Sequence, residues 1–278
     1  MEEILRSFTQ DLQDIEKVVE LLEGLSIFGQ EPVIDEALAN TAYLRTSAIL
    51  HKKITDGHPG SVKIPGTLML YLGGRFEHFV KILFEDLSSQ VANNYTEFKK
   101  LPTTMQQALI FNTSEVIASP RKFGHGDGAR DTFIKNLADN IHLNNLSHIN
   151  YQCLSITSTN MRPDIIAELF AKVGLKDIWK KIGEQAKIKT YFGTDANQYA
   201  ETECRKYLDN FMETRNKIAH PSGSFTWPSN EELKNHIKFF KLAGIILLEI
   251  CEMYLAKLAT DNLRLAQIEE QSSNTHLT

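Results

Sequence analysis

Cysteine is scarce in this chain of 278 residues. There are three, Cys153, Cys204 and Cys251, widely spaced and with no C-x-x-C pair. An odd, scattered set offers neither a disulfide framework nor a structural zinc site, so a reducing compartment is expected and no metal or other cofactor. Long apolar runs are missing as well. The longest, Ala243 to Leu248, stops at Glu249 and is far too short to span a bilayer. The opening Met-Glu-Glu-Ile is acidic and lacks an apolar signal core, which makes the expected location cytoplasmic, away from membranes. Nor is there a surplus of positive charge. A net charge of −5 argues against a polycationic coat for duplex DNA, while leaving room for a local basic patch. Hairpin turns, β-α-β patterns, tandem repeats and low-complexity blocks are absent too, which leaves helices as the material of the fold.

What is present is helical periodicity. Residues 2 to 27 carry apolar side chains at Ile4, Leu5, Phe8, Leu12, Ile15, Val18, Val19, Leu22 and Leu25, a spacing near 3.6 residues. A second helix is predicted from about Asp35 to Lys53, ended by turn chemistry at Asp56-Gly57-His58-Pro59-Gly60. From about Pro65 to Ala92 the stripe Leu68, Leu72, Phe76, Phe79, Leu83 and Leu87 predicts a long helix. Gly73 and Gly74 in its middle each cost about 1 kcal/mol relative to Ala, so a neighbouring backbone is expected to approach there. Further helices are predicted over 101–117 and from Asp164 to Val173, the latter stopped by Gly174. Another runs from about Asp195 to His220, and a last one starts at Ser229, whose pairing with Glu232 makes a capping box. Residues 149 to 157 have β-branched and aromatic content but no partner strand, and are read as helical or irregular. The expected architecture is all-α, a single domain: an N-terminal helical extension over 1–55, a core over 56–268 and a disordered tail over 269–278.

The chemistry concentrates at Arg215-Asn216-Lys217-Ile218-Ala219-His220. On a helix Arg215 shares a face with Leu208, Met212 and Ala219, an expensive place for a guanidinium unless it meets a carboxylate, carbonyls or an incoming anion. Asn216 and His220, four apart, share another edge. Pro221 disfavours the α region for His220, so the imidazole projects from the helix end. A core arginine paired with a buried acid, and a histidine that merely caps the last carbonyls, are the bland alternatives. Arg75 and Glu77 border the long stripe, either as a solvated ion pair or as groups supporting the Arg/His centre. The run Arg121-Lys122-Phe123-Gly124-His125-Gly126-Asp127-Gly128-Ala129-Arg130 alternates glycines between basic residues. It reads as a surface loop or as a backbone nest for phosphate; its spacing is not that of a P-loop, and His125 with Asp127 are too few ligands for a metal.

The segment 215–220 resembles the R-x4-6-H signature of the HEPN superfamily, whose commonest form has a polar residue, often Asn, after the Arg. Gly74-Arg75-Phe76-Glu77-His78-Phe79 and the stretch from Asn160 to Leu175 are similar to the corresponding parts of the RiboL-PSP-HEPN and MAE_28990-type branches. The resemblance covers about residues 40 to 260. It implies a HEPN-type helical bundle with extra N-terminal helices and a metal-independent endoribonuclease, active as a homodimer with a composite cleft. His220 would carry the proton, Arg215 would clamp the oxyanion and Asn216 would orient. Arg75 and Glu77 would stand behind them, and Arg121, Lys122 and Arg130 are candidate RNA contacts. A toxin or antiviral effector, restrained by an antitoxin or other regulatory protein, is one implied role. A catalytically inactive RNA- or nucleotide-binding module, or a protein-interaction module, is the alternative.

Overall fold

The computed structural model describes residues 1–32, 41–126, 128–157, 159–221 and 225–275. Among them are eleven α-helices and no strand. They are α1 (Glu2–Gln30), α2 (Ala42–Ser61), α3 (Ile64–Asn93), α4 (Thr103–Ala118), α5 (Ala129–Leu143), α6 (Tyr151–Leu154), α7 (Pro163–Lys172), α8 (Ile178–Gly183), α9 (Ala186–Phe192), α10 (Asn197–Ala219) and α11 (Asn230–Thr275). The chain divides into two compact units, one comprising Met1–Leu5, Glu77–Asp209 and Gly244–Thr278, the other Arg6–Phe76 and Asn210–Ala243.

The second unit is built on aromatic packing. Phe8, Leu12, Ile15 and Val19 of α1 are buried, as the period of the sequence requires. Phe8 meets Phe76 at 6.3 Å between ring centroids, Phe76 meets Phe240 at 4.5 Å, and Phe240 meets Phe211 at 4.6 Å. Each buried ring contributes about 2 to 3 kcal/mol through lost apolar surface. The helix expected to be an extension therefore supplies part of this core. Thr41 caps α2 by accepting the Leu44 N–H. The predicted start near Asp35 lies outside the described residues. At its other end α2 runs straight through the turn predicted at 56–60, with Pro59 inside it. Pro59 removes one helical bond, yet the end is closed locally: Ser61 Oγ donates to the His58 carbonyl at 2.8 Å and Val62 N–H reaches the same oxygen.

The first unit contains most of the shorter helices. Gly174 stops the α7 segment at φ +88°, as expected of a left-handed C-terminal residue. A Cβ there would also stand 2.8 Å from the Tyr254 hydroxyl. The stretch 144–157 is irregular around the single turn α6 and is pinned by side-chain amides. Asn140 donates to the carbonyls of Asn145 and His148, and Asn150 to that of Phe133. All three cysteines are buried, and burial pushes the Cys153 thiol up to about 11 and that of Cys204 to about 12. The capping box of α11 forms as predicted, Ser229 N–H to Glu232 Oε2 at 2.7 Å and Glu232 N–H to Ser229 Oγ at 3.1 Å. That helix continues to Thr275, through most of the stretch for which disorder was expected.

Candidate functional site

The end of α10 lies in the second unit and is shaped by its own sequence. Phe211, Met212 and Ile218 are buried and anchor the last two turns, Arg215 and Asn216 are half-buried, and His220 is exposed. The His220 N–H donates to the Asn216 carbonyl at 3.0 Å, so the helical register holds through His220 although α10 ends at Ala219. The imidazole consequently stands one turn above the Asn216 side chain, facing solvent.

Gly73 of α3 explains how Arg215 fits. A Cβ on Gly73 would lie 3.2 Å from Arg215 Nε, 3.3 Å from its Cδ and 3.4 Å from Phe211 Cε1. The close approach anticipated at Gly73-Gly74 exists, but it is made by side chains rather than backbone, and at Gly73 alone. Gly74 has nothing within 4 Å of its Cβ position. The missing side chain thus seats the Arg215 stem against α3, which limits the rotamers of the guanidinium beyond it.

Arg75 is half-buried and held by α1. Its Nε donates to Asp11 Oδ2 at 2.6 Å and Nη2 lies 2.5 Å from the same oxygen. Its ionic partner is therefore Asp11, not the Glu77 with which a solvated pair was considered. Glu77 falls in the first unit, where its Oε1 accepts the Met161 N–H at 3.3 Å. Arg121, Lys122 and Arg130 are exposed in the first unit, around a short 3-10 turn from Pro120 to Phe123 closed by Gly124 at φ +78°. Lys122 Nζ sits 5.0 Å from the Phe123 ring centroid. Asp127 lies outside the described residues. The structure brings Arg215, Asn216, His220 and Arg75 into one unit and leaves Glu77 and the three loop cations in the other.

Two residues of this unit escaped the sequence reading. Asp11 stands on α1 beside Leu12, an acid bordering an apolar stripe, and that position was a legible signal. His236 of α11 packs its ring against Phe211 at 4.9 Å, steeply inclined at 66°. Burial pulls its imidazole down to about 4, against the opposing charge of Glu232 one turn earlier. It is neutral at physiological pH, next to the ring that also touches the Gly73 position.

The arrangement places a solvent-facing imidazole, an amide and a guanidinium of restricted stem within the last two turns of one helix. Such a set can accept a proton, orient an oxygen and stabilise developing negative charge on a phosphate. The sequence model of the RiboL-PSP-HEPN family matches residues 45–252, a span that contains the whole of α10 and most of α2 and omits α1. No curated protein and no solved structure matches the chain. No helix among the described residues is long and apolar enough to cross a membrane.

Proposed function

The chain belongs to the RiboL-PSP-HEPN family, within a superfamily of nucleases and RNA-binding domains that typically bind RNA and dimerise, and from that membership we propose that it is a metal-independent endoribonuclease acting at a composite homodimer site. The observation that carries the reading is the end of α10, where His220 is open to solvent and the Arg215 stem is seated on Gly73.

In this mechanism His220 takes the proton of a ribose 2′-OH, whose oxygen attacks the adjacent phosphorus. Arg215 offers forked donors to the non-bridging oxygens as the phosphorane gains charge. Asn216 orients the imidazole above it or a phosphate oxygen. The 5′-oxygen leaves with a proton, and the products are a 2′,3′-cyclic phosphate and a 5′-hydroxyl. Two copies placing their Arg215/His220 pairs in one cleft supply both the base and the acid of this transfer. Arg75 stands in the same unit with its charge met by Asp11. Arg121, Lys122 and Arg130 remain candidates for binding RNA outside the cleavage site. A toxin or defence role under a restraining partner protein extends the family resemblance.

The test is cleavage of total RNA in EDTA by wild type, Arg215→Ala and His220→Ala. Loss of general acid–base help is expected to slow cleavage by about 100- to 10,000-fold. His220→Ala should leave thermal stability unchanged, because the side chain is exposed. Equal cleavage by all three proteins, or none by any, sinks the nuclease reading. Growth arrest on expression, relieved by either substitution, is the cellular counterpart.

A further inference from the structure

An open groove of about 800 Å3 in the second unit plays no part in the chemistry assigned to α10. It is walled by the end of α1, the second half of α2, the start of α3 and the stretch leading into α11, with Leu22, Ile54 and Pro65 as apolar surface and the Trp227 ring at one side. That size suits a small, flat ligand. No carboxylate is found among the described residues that line it, whereas Lys53 and His58 are there. Lys63 Nζ stands 6.0 Å from the Trp227 ring centroid. In a chain of net charge −5, an aromatic groove lined by Lys53, with Lys63 beside its indole and no acid on its described walls, complements a flat anion.

The placement of Trp227 links this groove to Arg215. A Cβ on Gly66 would lie 2.6 Å from Trp227 Cε3 and 2.9 Å from its Cζ3, so the indole rests where that glycine has no side chain. Phe225 meets the indole edge-on at 5.6 Å and 77°. Gly66 and Gly73 are two turns apart on α3, so they share one face to within about 20° and are separated by about 10 Å along the axis. Trp227 and the Arg215 stem therefore stand on the same face of the same helix, close enough for neighbouring nucleotides of one strand to reach both.

We propose that the groove is a nucleobase subsite, in which an unpaired base of the RNA strand stacks against Trp227 while Lys53, His58 and Lys63 meet its phosphates. Stacking on an indole tolerates any base and requires a single strand, so the subsite selects unpaired RNA rather than a sequence. The inference rests on the RNA-cleaving reading for its ligand, but binding can be measured without cleavage.

The chain has two tryptophans, Trp179 and Trp227. In a Trp179→Phe/His220→Ala protein the indole emission reports Trp227 alone, and AMP and a short single-stranded oligoribonucleotide are the probes. Saturable quenching by both is expected, with duplex RNA of the same sequence binding more weakly. Trp227→Leu should weaken oligoribonucleotide binding about tenfold. Lys53→Glu, at an exposed position on α2 where folding is not at stake, should weaken it comparably. Quenching that persists in a protein whose wild type cuts no RNA supports the subsite and sinks the nuclease reading alone. Cleavage by wild type with no quenching, or unchanged RNA affinity in a folded Trp227→Leu or Lys53→Glu protein, overturns the subsite alone. A Trp227→Leu chain that loses self-association at unchanged RNA affinity also overturns it, by showing the groove to be a contact between copies.

Discussion

The two compact units differ in how far they bury their polar side chains. In the first, Glu85, Ser88, Thr113, Asn140, Asn150 and Ser155 are buried. Asn140 holds irregular backbone in place by donating to the carbonyls of Asn145 and His148, Asn150 donates to the Phe133 carbonyl of α5, and Ser155 Oγ donates to Glu85 Oε1 at 2.5 Å. In the second, the buried polar residues described are Ser47 and His51, while Arg75, Asp11, Arg215 and Asn216 sit half-buried at the margin of an aromatic core. Buried amides that bind carbonyls are consumed by the fold, because a loop such as 144–157 has no helical ladder of its own to satisfy it. Charges kept at the margin stay within reach of an anion from outside. The contrast separates polarity that shapes the protein from polarity that an outside ligand can still reach.

The strongest way to break that contrast is to remove an amide from the first unit. Asn150 is fully buried, donates to the Phe133 carbonyl at 2.9 Å and accepts from Asn136 Nδ2 at 3.1 Å. Asn150→Ala removes both bonds and leaves a gap where a fully buried side chain stood, and should cost about 3 kcal/mol of stability, measured by urea unfolding, with RNA cleavage per folded molecule unchanged. A loss below about 0.5 kcal/mol, or a cleavage defect in the folded protein, would contradict the division.

A slightly smaller effect is expected from His236 in the second unit. Because burial lowers its imidazole from 6.5 to about 4, the unfolded chain takes up a proton at higher pH than the folded one. The stabilisation is fully present above about pH 6.5 and is lost as pH falls toward 4, a difference of about 2 to 3 kcal/mol at most. His236→Phe keeps a ring against Phe211 and should flatten stability across that window. An unaltered slope between pH 7 and 4.5 would show that His236 is not the group responsible.

Next in size is the hold of α1 on α3. Asp11→Asn keeps the shape but removes the charge that meets Arg75, and should cost about 1 kcal/mol, since the pair is partly exposed at 29% and 21%. The cost should shrink in high salt, where exposed charges are screened. Equal stability of Asp11→Asn and wild type at low salt would mean that the Asp11–Arg75 pair has no part in holding α1.

Much of this was legible before any coordinates. Apolar period and capping residues placed α1, α3, α4, α7, α10 and the start of α11 to within a few residues, and the Arg215–His220 spacing, with the stretches 74–79 and 160–175, pointed to the family. Local signals misled where long-range geometry decides. Pro59 and its flanking glycines look like a turn, yet α2 carries them in its last turn, where the lost helical bond is followed by local closure of Ser61 and Val62 on the His58 carbonyl. Arg75 reads from the sequence as a solvated pair with Glu77 or as support for the Arg/His centre, while the acid that meets it lies 64 residues earlier in the chain, a pairing that periodicity cannot register. His236 stayed hidden because one histidine on a charged helix start looks solvated until a ring from another helix covers it.

The finest test lies in two adjacent glycines. Gly74 has open space around its Cβ position, so Gly74→Ala should add up to about 1 kcal/mol by lowering the entropy of the unfolded chain and favouring helix, with cleavage unchanged. Gly73→Ala gains the same propensity but puts a methyl 3.2 Å from Arg215 Nε and 3.4 Å from Phe211 Cε1. Phe211 is fully buried and cannot yield, so the Arg215 stem has to shift. Net stability should therefore change little while kcat for RNA cleavage falls about tenfold, because a guanidinium displaced by a few tenths of an ångström no longer meets the phosphorane squarely. If both alanine variants gain stability and keep full kcat, the seat that Gly73 provides has no part in placing Arg215.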